Sequence, residues 1–295
     1  MTLIIRTLLT LSYVRSLALA QTSNSSSLEN CPRPIQNIGN GRTNFNSTGS
    51  RPFRLTPDQE NDWYLSYALT DVRGETINIG SWVTMQDLSV YISVPQSLIG
   101  TRQGNNTMFC MYMMPGQNDT VTYSGDDASR SCTGVLSDNC LRALRSTPPP
   151  AEDDCPKVDI SAACGFNTVV GRAAPSNFSD PTCTVDGIPH VNLPDGYRTY
   201  GGFVGTGILP PDPERDSFEV YGLRVRQPIP MLITSRVGGS DDGQAEVICL
   251  APENVTEGSR HPEGDFPSAA VGAFSSGKYV LGTFIVACVT ALLLA

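Results

Sequence analysis

Asp62-Trp63-Tyr64-Leu65-Ser66-Tyr67-Ala68-Leu69 decides the fold. Trp63, Leu65, Tyr67 and Leu69 alternate with Tyr64, Ser66 and Ala68, the period-two pattern of a strand with one buried face. The four larger residues are expected to point together into a core, with Trp63 at the strand start beside charged Asp62. Similar runs follow it along the chain. Towards the C-terminus they are Ile77 to Met85, Leu88 to Val94, Thr107 to Met114 and Thr120 to Tyr123. Beyond position 200 they are Phe203 to Leu209, Phe218 to Arg226, Met231 to Val237 and Ala245 to Leu250. Gly238-Gly239-Ser240-Asp241-Asp242-Gly243 joins the last two as a hairpin turn. About nine short strands separated by turn signals predict a mainly β protein, folded as a β-sandwich.

One region breaks the pattern. Between Cys132 and Cys164 lie four cysteines and a helix signal, with Ser137 as cap and Leu141, Leu144 and Cys140 on the buried side. Thr147-Pro148-Pro149-Pro150 ends that helix, and Cys155 to Cys164 suits a second short one. We read residues 132–164 as a small, disulfide-stapled helical insert in a single β domain. Pro32 to Ser50, rich in glycine and asparagine, reads as loop and turns. Gln21 to Glu29 reads as a flexible lead-in.

The two ends carry targeting signals. Arg6, the apolar stretch Leu8 to Val14 and Ala18-Leu19-Ala20 make a signal peptide over residues 1–20, with Arg15 placed unusually late. Ser268-Ala269-Ala270, the spacer Val271 to Lys278 and the apolar tail Tyr279 to Ala295 have the layout of a GPI-attachment signal. The expected organisation is then a secreted ectodomain over 21–252, a short stalk over 253–268 with Ser268 as attachment point, and a propeptide over 269–295. A transmembrane helix is the competing reading of the tail. Such a span takes about 20 apolar residues and basic residues on its cytoplasmic side.

Processing changes the counts. The chain has 20 basic and 29 acidic residues, and Arg6, Arg15 and Lys278 leave with the ends, so 17 basic residues remain and the net charge is −12. Such a surface repels nucleic acid and anionic lipid. Eight of nine cysteines stay: Cys31, Cys110, Cys132, Cys140, Cys155, Cys164, Cys183 and Cys249. An even number in an oxidising compartment predicts four disulfides, whose pairing the spacing leaves open. Sequons at Asn24, Asn46, Asn105, Asn118, Asn177 and Asn254 predict N-glycosylation.

Signal peptide, even cysteine count, sequons and the Ser268 tail together resemble GPI-anchored surface glycoproteins of filamentous fungi. The resemblance is to a class. It implies an address on the outer face of the plasma membrane or transfer to the cell wall. The implied partners are the membrane through a lipid anchor, wall polysaccharide or another surface protein. Three fungal families fit less well. Lytic polysaccharide monooxygenases begin with a copper-binding histidine, and this mature chain begins with Gln21. CFEM domains pack eight cysteines compactly, and these span Cys31 to Cys249. Large adhesins carry long serine/threonine-rich stalks, which this chain lacks.

Catalytic signals are sparse. A serine-hydrolase triad needs a histidine base, and only His190 and His261 exist, with no G-x-S-x-G elbow. Zinc is disfavoured by the absence of a CxxC pair. Met108, Met111, Met113 and Met114 flank Cys110 and could hold Cu(I), but they fall on both faces of a strand, which suits a buried central strand better. Asp58-x-Glu60-x-Asp62 starts like an EF-hand loop but has Trp63 and Leu69 where glycine and glutamate are required. Asp126-Asp127 and Asp241-Asp242 read as turn formers. No cofactor or metal is expected. Asp62, Glu219 and Glu246 lie in or beside expected strands and are the carboxylates available for glycoside hydrolysis. The favoured function is non-catalytic wall organisation, recognition or ligand binding. A carbohydrate-active enzyme working on wall glycan through a carboxylate pair is the alternative.

Overall fold

The structure, a computed structural model, describes residues 28–56, 59–73, 84–114, 132–165, 169–171, 174–206, 214, 216–239 and 243–263. It is mainly β, built from two antiparallel sheets that share a core. Sheet A contains β1 (Ser47–Phe53), β2 (Trp63–Arg73), β3 (Thr84–Pro95), β6 (Thr184–Val185), β7 (Tyr197–Thr206) and β10 (Asn254–Val255), in the order β10-β1-β2-β3-β7-β6. Sheet B contains β4 (Met108–Met113), β5 (Val170–Gly171), β8 (Ile229–Arg236) and β9 (Gly243–Leu250), in the order β5-β4-β8-β9.

Trp63, Leu65, Tyr67 and Leu69 face the space between the sheets, and none exceeds 5 % exposure. Val90, Ile92 and Val94 of β3 join them, and Phe109, Met111 and Met113 of β4 close the core from sheet B. The pleat sends alternate side chains outward, yet those outward faces are covered as well. On sheet A, Ala68 and Tyr91 lie beneath Ile35 of α1 (Arg33–Gly39) and Phe45. On sheet B, Cys110, Tyr112, Leu232 and Val247 lie beneath Leu136, Leu141 and Leu144 of the insert. The methionines around Cys110 therefore belong to an inner strand buried on both faces, as expected. Glycine is required at Gly49 in β1, where a Cβ would sit 2.2 Å from the carbonyl oxygen of Ala251, just past β9.

The insert has the expected build. Ser137 caps α3 (Asp138–Arg145) by accepting a hydrogen bond from the Cys140 amide at 3.3 Å, and α4 is Ser161–Cys164. Cys140–Cys164 joins the two helices. Cys110–Cys155 and Cys132–Cys249 fasten the insert to β4 and β9, and Cys31–Cys183 ties the segment before α1 to the segment before β6.

Four expectations change. Phe218 to Arg226, read as a strand, is a helix, α5 (Glu219–Arg226). Tyr221, Arg224 and Val225 are its buried residues, and that i, i+3, i+4 spacing overrides the β-branched composition. Pro32 to Ser50, read as loop, contains α1 and the start of β1. Pro34 in the first turn, where its missing N–H costs nothing, was the helix signal there. The expected stalk from 253 instead enters the domain. Asn254 and Val255 pair with Thr48 and Ser47, and Thr256 is buried. The third strand starts at Thr84 and absorbs the end of the Ile77–Met85 run. Residues 77–83, Thr120 to Tyr123 and Ser240 to Asp242 lie outside the described residues, as do both targeting segments and Ser268. Among the described residues no helix is long and apolar enough to cross a membrane.

Candidate functional site

At the Trp63 end of the sandwich, a cleft of about 510 Å³ opens between the sheets. One wall is formed by Thr56 and by residues 59–63, which lead into β2. The other is α2 (Arg102–Asn105) with the turn before it, and Val237 closes the sheet B side. Thr101 caps α2, its hydroxyl accepting from the Gly104 amide at 3.1 Å. The Thr107 hydroxyl donates to the Gln103 carbonyl at 2.8 Å and accepts from the Gly238 amide at 3.2 Å, tying α2 to the end of β8.

Phe178 holds this wall in place. It is fully buried, stacks on Phe109 at 4.9 Å and meets Trp63 edge-on at 5.0 Å, so it plugs the gap between the two sheets. Its carbonyl accepts from Gly100 at 3.1 Å and its amide donates to Gly104 at 3.3 Å. Trp63 is thus a core residue that shows only an edge at the cleft floor.

Some polar lining residues are spent internally. Gln59 accepts from the Leu55 amide at 3.0 Å and donates to the Asn61 carbonyl at 2.6 Å. Glu60, Asn61, Ser97, Arg102 and Gln103 are exposed, and their side chains have no hydrogen-bond partner among the described residues. This is a shallow groove of amides and hydroxyls with one guanidinium. Glu60 is the one carboxylate among its described lining residues.

The three carboxylates expected for hydrolysis are not brought together. Asp62 bonds Arg54 beside the cleft. Glu246 is on β9, where burial pushes its carboxyl upward while Arg145 pulls it back. Glu219 begins α5 and borders a different hollow of about 350 Å³, with Glu263, Arg226 and Arg260. Glu263 has a 94 % exposed side chain and pairs with Arg260 at 3.6 Å. A third hollow of about 290 Å³ near Tyr200 contains Asp180, held below the usual carboxylate range by the Thr182 hydroxyl and amide. His190 and His261 are exposed, and His190 has a positive φ of 65° with its carbonyl accepting from the Thr48 hydroxyl. Among the described residues no three His, Cys, Asp or Glu side chains gather as a metal site.

The described sequons differ. Asn105, Asn177 and Asn254 are exposed, whereas the Asn46 amide is engaged, accepting from the Asp71 amide at 2.7 Å and donating to the Ser259 hydroxyl at 3.2 Å. Asn24 and Asn118 lie outside the described residues. Sequence reasoning missed Ser97, Arg102 and Gln103, because nothing in their local pattern signals that a distant turn faces them. No family model matches the chain, and neither a curated protein nor a solved structure matches it.

Proposed function

We propose that this chain is a secreted, N-glycosylated, GPI-anchored surface protein whose ectodomain is a non-catalytic recognition module. The cleft between residues 59–63 and α2 is its ligand surface. The observation that carries the reading is the set of five unspent polar side chains in that cleft, with a single carboxylate among them. Glycosidic hydrolysis calls for two carboxyl groups facing each other across the bond. Amides, a hydroxyl and one arginine fork suit the hydroxyl groups of a glycan or a polar segment of another surface protein. The exposed Asn105 side chain stands beside this groove on α2.

A glycan array probed with the deglycosylated ectodomain, 21–268, tests the ligand. Retention of a wall-type glycan is expected, unchanged in length after incubation. Arg102→Ala should weaken it about tenfold or more, the worth of a hydrogen bond to a charged group, at an unchanged melting temperature. Shortened product would establish the hydrolase instead, and no retention would reject the cleft as a glycan site.

The address has its own test. Phosphatidylinositol-specific phospholipase C should release the protein from cells whose anchors carry a non-acylated inositol. Membrane-bound mature protein that still contains residues beyond Val271 would show a transmembrane tail.

A further inference from the structure

The two ends of β2 carry different machinery. The Trp63 end carries the cleft. At the other end, the Arg73 guanidinium lies 3.7 Å from the centre of the Phe218 ring, and the Arg260 guanidinium covers the same ring at 4.3 Å. The Tyr221 hydroxyl donates to the Arg260 carbonyl at 2.7 Å. The chain reaches this point along β1. The Thr256 amide donates to the Asn46 carbonyl at 3.0 Å, and Ser259 takes the Asn46 side-chain amide. Asn46 is in turn bonded to the amide of Asp71 near the end of β2. The C-terminal segment is therefore a strap fixed at the Arg73 pole.

From Trp63 to Arg73 is ten steps along a strand, about 33 Å. From Glu263, the last described residue, five residues reach Ser268. Fully extended, they span at most about 18 Å. A tether that short cannot pass from the Arg73 pole around the domain to the cleft.

We infer that the domain stands on the membrane by its Arg73 pole and presents the cleft outward, to a ligand in the wall or on an opposing surface. This rests on the anchored reading above. The bilayer that holds the protein is out of reach of its own cleft. The exposed sequon residues Asn105 and Asn177 belong to the outward pole, where the Phe178 backbone bonds Gly100 before α2 and Gly104 within it. The Asn46 amide, by contrast, is occupied in holding the strap.

The test uses the full-length protein on cells. Gln96→Cys and Glu263→Cys, both at exposed positions, are labelled with one fluorophore, and energy transfer to a dye in the outer leaflet is read. Strong transfer from position 263 and weak transfer from position 96 is expected. Equal transfer, or the reverse order, overturns the orientation. Gln103→Cys and His261→Cys repeat the comparison if an added thiol disturbs folding. Phospholipase C treatment separates the two ideas. If the enzyme releases the protein and the labels report equal distances, the anchor stands and the orientation falls. If the membrane-bound mature protein still contains residues beyond Val271 and the labels differ, the orientation stands and the lipid anchor falls.

Discussion

Cys132→Ala with Cys249→Ala lowers the unfolding free energy of the ectodomain by about 5 kcal/mol, the cost expected for opening a loop of this length in the unfolded chain. The two residues are 117 apart in sequence and both are fully buried. Their bridge fastens the head of the insert to β9, which no other bridge reaches. Removing Cys140 and Cys164, only 24 residues apart, should cost about 3 kcal/mol, because the loop they close is already short. Urea titration of the two double variants checks the order. A smaller loss for the 132–249 pair would show that loop closure is not what its bridge contributes. The native ectodomain should meanwhile leave a thiol reagent unconsumed, since its eight cysteines are paired.

Leu65→Ala is the second large effect, at about 2 to 5 kcal/mol. Leu65 is fully buried near the start of β2, opposite Arg51 on one side and Ile92 on the other. The lost transfer energy adds to a cavity that two hydrogen-bonded neighbours cannot close. Trp63→Ala should cost about 3 to 5 kcal/mol for the same reason, since its ring meets Phe53 at 6.2 Å and Phe178 at 5.0 Å. Glycan retention by the folded fraction should survive Leu65→Ala. A Trp63→Ala variant that melts normally yet retains no glycan would reverse the assignment of Trp63 to the core and make it a stacking platform.

Strand β2 was legible because alternation is local: each residue from 63 to 69 states its own side. The insert was legible for a similar reason, since a serine cap, two leucines at i, i+3 and a proline run are read within one turn or two. Helix α5 was misread because its valines and aromatics favour strands, while the helical spacing of Tyr221, Arg224 and Val225 is a weaker signal in eight residues. β10 was invisible for a different reason. Two residues have no period, and Asn254–Val255 become a strand only because Thr48 and Ser47 offer an open edge. The disulfide pairing and the cleft share that dependence on tertiary contacts. Cys132 finds Cys249, and residues 59–63 find α2, across stretches of chain whose composition does not mention the partner.

On the anchored reading proposed above, load enters the domain at its C-terminal segment, and the strap determines where that load goes. Tension applied beyond Glu263 first meets the stacked Arg260 and the two-residue pairing of β10, which open one contact at a time like a zip. The unravelling stops at Cys249, which is bolted covalently to Cys132. The slack released up to that bolt is the 14 residues from Cys249 to Glu263, about 50 Å when pulled straight. Past it, force passes into the insert and through Cys110–Cys155 into β4, an inner strand. The domain thus has a built-in shock absorber ahead of a covalent stop, and the cleft at the far pole lies off the line of pull.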